Sequence, residues 1–574
     1  MIIKKTVISR VLIASALVAM IFLPLMSCAS ASSRNIPAVF LPGEWKGSTY
    51  ATTTYGTLEG RHDRENTISW LGIPYAAPPV GDLRWQAPLP PSEWEGVRKA
   101  MRFGPKSVQR SILTGAAIGS EDSLYLNVWR PATRMTGLPV FVWIHGGGNT
   151  FGASNSSSEY FGHALASRSD FVYVSVNYRL DIFGWFAHPA LHNGDPENDS
   201  GNFGTLDLIA ALEWVRDNIE AFGGDPGNVT IAGESAGAFN VLTLLMAPKA
   251  KGLFHRAIAQ SGYTRASNKE AGEFAEDVVR KLAISQGKSE NEEEARVFLA
   301  SMSPDETAKW LRKASPAELL RLTRASSSSS LNLPYPIFDG TVLPAAGFKA
   351  LGNPRQSADV PLIIGTNKEE TKLFLMFRGQ NFWDPVYRKV AEATSAVWKA
   401  EGADALADAV STRTGNENVY LYRFDWGAQD PKGGSVLGKG LGAWLGAAHG
   451  IEISFFLQTD TAYGDMMPLR IFTQANRRGR LDLQAKMGDY LANFVRNGNP
   501  NGIHDVSEDG LVYWESWDAR EALSSFIVFD ADLDKASIRI EKGRTLKSDI
   551  LRNFDADSSR IMKEKLEEVM LMLD

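Results

Sequence analysis

Five short runs of this chain are apolar at nearly every position: Leu138–Ile144, Phe171–Val176, Val229–Ala232, Ala257–Gln260 and Val360–Ile364. A strand with one face in water alternates apolar and polar residues. A run without alternation has protein on both faces, which suits parallel strands covered by helices. Parallel neighbours cannot be joined by a hairpin, so a crossover must lie between them. The sequence supplies one in Leu206–Phe222, where Leu208, Leu212, Val215 and Ile219 recur at helical steps before Gly223-Gly224-Asp225-Pro226 stops the pattern. The alternation predicts an α/β fold, a large mostly parallel sheet flanked by helices.

That pattern continues from about residue 52 to 555. The expectation is therefore one catalytic-size domain over residues 46–574, although 574 residues would by length alone suggest several domains. Residues 265–330, charged and helical in pattern, read as a helical insertion. Residues 555–574 read as a final amphipathic helix with Met562, Leu566, Val569 and Leu573 on one face. With 66 acidic against 60 basic residues, no basic face for a phosphate backbone is expected, so nucleic acid is not an expected partner.

The first residues read as a targeting signal. Lys4, Lys5 and Arg10 precede the uncharged run Val11–Met26, whose 16 residues are short for a membrane span. The run ends at Leu25-Met26-Ser27-Cys28, and Cys28 is the only cysteine of the chain. This arrangement resembles the lipobox of bacterial lipoproteins, in which the cysteine is acylated and becomes the N-terminus. Residues 1–27 would then be the signal peptide, Cys28 the lipid attachment and 28–45 a tether. The protein would be exported, as an outer-membrane lipoprotein. An ordinary signal peptide cut after Ala31 is the alternative, giving a periplasmic or secreted protein. Either way an intrachain disulfide is impossible, and zinc sites needing several cysteines are excluded.

The chemistry concentrates at Gly233-Glu234-Ser235-Ala236-Gly237, which joins the strand Val229–Ala232 to the helical run Ala236–Met246. A strand-to-helix turn this sharp strains the serine backbone, and flanking glycines remove the clashes. A serine hydroxyl needs a base and a site for the oxyanion. His145-Gly146-Gly147-Gly148 follows the strand Leu138–Ile144 and exposes backbone N–H groups, which the N–H of Ala236 can supplement. His145 reads as a brace for that loop. In folds with this elbow the order is serine, acid, histidine, which leaves His449 and His504 among the eight histidines. His449, set among small residues in 446–450, is favoured over His504 in a Gly/Asn/Pro loop. A base with an ordinary imidazole pKa of about 6.5 would place the acid limb of activity near neutrality. The acid falls in Gly365-Thr366-Asn367-Lys368-Glu369-Glu370, where position alone leaves Glu369 and Glu370 open.

The chain resembles the type-B carboxylesterases, the family of bacterial para-nitrobenzyl esterases and animal carboxyl- and cholinesterases. The likeness runs through GIPYAAPPVGDLRW (72–85), EDSLYLNVWRP (121–131), WIHGGG (143–148), NYRLDIFGW (177–185), the elbow segment 211–238, GTNKEE (365–370), AHGIEI (448–453) and NFVRNGNPNG (493–502). The resemblance implies an α/β-hydrolase fold with Ser235 as nucleophile, His449 as base, Glu370 as acid and Gly147, Gly148 and Ala236 as oxyanion donors. It implies no cofactor and no metal. Where the family often has a disulfide, this chain has Ser107 and Ser123. Its early loop lacks the tryptophan on which cholinesterases stack a quaternary ammonium, which disfavours choline esters. Thr371 stands where the family usually has Gly. The expected function is hydrolysis of a small carboxylic ester through an acyl-enzyme. The alternatives are a non-catalytic adhesion relative, which would typically lack the serine, and an acyltransferase or specialised natural-product esterase.

Overall fold

In the computed structural model, residues 48–264, 268–323, 335–377, 383–412, 418–463, 470–502, 511–557 and 559–573 are described. The predicted signal peptide and tether, Cys28, His504 and the ends of the proposed insertion, 265–267 and 324–330, lie outside them.

Eleven strands among the described residues build one sheet. In chain order they are β1 (Arg61–Asp63), β2 (Thr67–Pro74), β3 (Tyr125–Pro131), β4 (Leu138–Ile144), β5 (Val172–Val176), β6 (Gly224–Glu234), β7 (Arg256–Gln260), β8 (Leu362–Asn367), β9 (Val419–Phe424), β10 (Ser525–Phe529) and β11 (Arg539–Lys542). Their spatial order is β11-β10-β9-β8-β7-β6-β4-β5-β3-β2-β1. From β5 to β10 every neighbour is parallel. Antiparallel strands close both edges.

Side-chain alternation explains why these runs lack polar positions. Val140, Val142 and Ile144 of β4 enter one core, together with Leu206, Leu208 and Leu212 of the helix Phe203–Asn218. Phe141 and Trp143, between them in sequence, enter a second core on the opposite face with Leu483, Met487 and Phe494 of the helix Arg477–Asn497. β5, β7, β8 and β9 divide their residues in the same way. Both faces are thus removed from water, at roughly 1.5–3 kcal/mol for each large apolar side chain buried.

The predicted strand at 229–232 is the middle of a longer one, because β6 continues to the elbow at Glu234. The run predicted from Val360 enters the sheet only at Leu362 and extends through Asn367, carrying polar residues that face the site. The charged stretch after β7 forms the helices Asn268–Ser285, Glu292–Ala300, Pro304–Lys313 and Pro316–Leu322. Arg84 fastens this region to the body: it pairs with Glu121 and donates to the carbonyls of Arg312 and Ala314. The final helix predicted at 555–574 forms as Arg560–Leu573, and a further helix, Lys547–Asp557, precedes it. Leu566 and Val569 are buried with Tyr387 and Val390 of the helix Pro385–Lys399, with Met562 half-buried beside them. The side chain of Leu573 is outside the described set.

Candidate active site

The carboxyl ends of β4, β6 and β8 bring the predicted site residues together. Ser235 follows β6 directly, with φ 58° and ψ −123°. Its N–H donates to the Gln260 carbonyl at 2.9 Å, and its carbonyl accepts the N–H of Phe239, which opens the helix Ala236–Met246. Such a backbone is costly for a residue with a side chain, and it persists because the surroundings fix it. A Cβ on Gly237 would stand 2.1 Å from the Ile144 carbonyl, and one on Gly233 2.5 Å from the Gly237 carbonyl carbon. Only glycine lets helix and strand approach closely enough to hold the turn.

The glycine loop after β4 lies against the serine, since a Cβ on Gly146 would sit 3.1 Å from Ser235 Cβ. Gly147 has φ +110° and Gly148 φ +59°. Their N–H groups make no hydrogen bond among the described residues. Ala236 opens its helix, so its N–H has no carbonyl one turn back and lies at the positive end of the helix dipole. His145 supports this loop. Its ring stacks on Tyr178 at 4.5 Å, its Nδ1 lies 2.8 Å from the Gly146 carbonyl, and its own carbonyl accepts the Tyr178 hydroxyl. Burial pushes its pKa down to about 4, which keeps it neutral and suits a brace.

Glu370 follows β8 and is fully buried. One carboxylate oxygen accepts the Asn367 N–H at 2.7 Å, and the other lies 2.6 Å from His449 Nδ1. The His449 carbonyl accepts the Tyr463 hydroxyl. With Nδ1 donating to Glu370, the lone pair falls on Nε2, which has no hydrogen-bond partner among the described residues. Glu369 turns elsewhere, its Oε2 accepting the N–H of Ala447 at 3.0 Å. Of the two glutamates that position left open, Glu370 is the one that meets the imidazole. Thr371, at the family's glycine position, is absorbed by hydrogen bonds to Thr394, Ser395 and the Ala391 carbonyl. Ser107 and Ser123 face each other, the Ser107 hydroxyl donating to Ser123 Oγ at 2.9 Å. Phe183 and Trp185 are core residues.

Sequence reasoning missed the setting of the imidazole. The rings of Trp398 and Phe374 lie 5.0 and 5.1 Å from that of His449. Glu234, between the elbow glycine and the serine, places Oε1 3.1 Å from His449 Nε2. Glu452 accepts from Ser261 Oγ at 2.8 Å and from the Asn367 side chain. Burial, opposed by His449 and reinforced by neighbouring carboxylates, raises Glu234 to about 8 and Glu452 to about 7. Burial alone would lower His449, but Glu234, Glu370 and Glu452 together push it up to about 9. The imidazole is therefore more basic than the ordinary value expected from sequence. The only signal was that both glutamates lie inside the quoted motifs, one in the elbow and one in AHGIEI.

The family model described as "Carboxylesterase family" matches residues 47–396 and 384–532. The para-nitrobenzyl esterase of Bacillus subtilis is 34% identical over 498 residues, covering 80% of this chain and 94% of that protein. The fumonisin B1 esterase of Sphingopyxis macrogoltabida is 39% identical over 331 residues, 56% of each chain. A crystal structure of a Geobacillus stearothermophilus carboxylesterase superposes with a TM-score of 0.65 at 31% identity, covering 86% of this chain and 97% of its own. With the sheet, the elbow and these likenesses in agreement, this chain belongs to the carboxylesterase family: it is a carboxylic ester hydrolase of the α/β-hydrolase fold.

Proposed function

We propose that Ser235 attacks the ester carbonyl while His449 Nε2 takes its proton, that Gly147, Gly148 and Ala236 donate to the oxyanion, and that Glu370 holds the imidazole and stabilises its charged form. His449 then gives the proton to the departing alcohol, and in the second half activates the water that releases the acid from the acyl-enzyme. What carries this reading is the pairing of His449 Nδ1 with buried Glu370 at 2.6 Å, which leaves Nε2 as the acceptor. The test is labelling by a fluorophosphonate with turnover of a 4-nitrophenyl ester. Ser235→Ala should lose both and keep its melting temperature. Turnover retained at about a tenth of the parent would place the nucleophile elsewhere.

A natural-product ester is the second reading of the substrate, favoured by the 39% identity to a fumonisin B1 esterase. A panel of acyl and alcohol groups ranked by kcat/KM separates it from a general esterase.

We further propose that Cys28 carries the lipid of an exported lipoprotein. The support is that the sole cysteine ends the apolar leader run, with Ser27 before it. Intact-mass measurement of the native N-terminus should find an acylated Cys28 and should find it lost in Cys28→Ser. An N-terminus after Ala31 retires the anchor.

A further inference from the structure

The acid loop holds the loop that carries His449 in two places. The first is at the base itself, where Glu370 meets the ring and the Glu370 carbonyl accepts the His449 N–H at 3.3 Å, while the Asn367 side chain donates to the Ala448 carbonyl at 2.8 Å. The second is Glu369. Its N–H donates to the Ala447 carbonyl at 3.0 Å, and its Oε2 accepts the Ala447 N–H at 3.0 Å. Its Oε1 pairs with Lys372 Nζ at 2.7 Å, and that ammonium also donates to the Gly442 carbonyl at 3.1 Å. Lys372 is 5% exposed and Glu369 18%, so the pair is shielded from the solvent that weakens surface ion pairs. Gly446, at φ +57°, makes room for it: a Cβ there would sit 1.8 Å from Glu369 Oε2.

We infer that Glu369 and Lys372 are positioning residues for the ester hydrolysis, a clamp that grips the 442–447 turn two residues before His449 and fixes the imidazole against Ser235. The physical argument is leverage. Glu370 and Asn367 hold the ring and the main chain at Ala448 and His449, all on one side of the turn. The clamp fixes the main chain from which the ring projects, at Gly442 and at Ala447. Neither residue touches substrate; each acts through the base. Displacing a reacting group by about 1 Å can cost about a hundredfold in rate without weakening substrate binding.

The inference rests on His449 being the base, and the experiment separates the two failures. With a 4-nitrophenyl ester, Glu369→Ala should lower kcat by about 10- to 100-fold and leave KM within about twofold. Glu369→Gln keeps an oxygen for the Ala447 N–H and should restore most of that loss. Gly446→Ala should also lower kcat, since its methyl group needs the carboxylate's space. In the Glu369→Ala background the same substitution should cost less, because the clash with the carboxylate is gone and only the strain of an alanine at φ +57° remains. The proton between His449 Nδ1 and Glu370 should give a low-field proton resonance that shifts in Glu369→Ala and returns in Glu369→Gln. A merely structural residue would lower the melting temperature without moving that resonance. If Glu369→Ala does not fold, Lys372→Met removes the ammonium alone and carries the same readouts. A Glu369→Ala kcat within about threefold of the parent, an unmoved resonance or additive effects of the two substitutions overturns the clamp. Turnover by Ser235→Ala would instead overturn the reading of the site itself.

Discussion

Glu370→Gln removes one buried charge and leaves the shape of the site unchanged. In the transition state His449 is an imidazolium, and Glu370 Oε2 lies 2.6 Å from its Nδ1. Taking the centres of the two delocalised charges as about 4 Å apart, at an effective dielectric of about 20, the lost attraction is about 4 kcal/mol. At about 1.4 kcal/mol per tenfold, that is roughly a thousandfold in kcat. The amide adds a second penalty. Its NH₂ can face Nδ1 only if the ring proton moves to Nε2, which then cannot accept from Ser235. Losses on the order of 10⁴ follow such a triad change in serine hydrolases. The assay is kcat on a 4-nitrophenyl ester, with active-site titration to count competent molecules and circular dichroism to show the fold retained. Glu369→Gln is the paired control, and its loss should be at least about a hundredfold smaller, because it keeps an acceptor for Ala447 and leaves the imidazole's partner in place. A Glu370→Gln enzyme retaining more than about a tenth of parental kcat, or a Glu369→Gln enzyme weaker than it, would refute the assignment of the acid.

The pH profile follows from the same cluster. Imidazolium has no lone pair for the serine proton, so activity falls as pH drops through the His449 pKa, and with that pKa pushed up to about 9 the acid limb should lie above the ordinary imidazole value of about 6.5. Glu234→Gln removes one of the charges that raise His449, so the limb should move to lower pH; a limb that stays or rises refutes the charge argument. Ser107→Cys combined with Ser123→Cys should oxidise to a disulfide. The bridge would close a loop spanning 16 positions, remove about 3 kcal/mol of unfolded-state entropy and raise the melting temperature until reductant is added. Thiols that stay free under oxidant would show the register to be wrong.

Local pattern determined much of this protein. The strands that carry the site were legible because burial on both faces leaves no polar position, and the elbow because only glycines on either side of the serine let strand and helix approach so closely. Ser235 and His449 followed from that context and from chain order. Ser107 and Ser123, singled out by the resemblance, lie hydroxyl to hydroxyl in the fold. Where β8 ends was not legible, because Gly365, Thr366 and Asn367 look like a polar loop until the neighbouring strand β9 pairs with them. The division of labour between Glu369 and Glu370 belonged to tertiary structure alone. Adjacent glutamates are chemically identical in sequence, and only the approach of the 442–449 segment, some eighty residues later, gives one the imidazole and the other a main-chain N–H. The same holds for Glu234 and Glu452: a carboxylate is expected in water, and only the fold that surrounds it with a histidine and other carboxylates makes its burial, and the raised basicity of His449, possible.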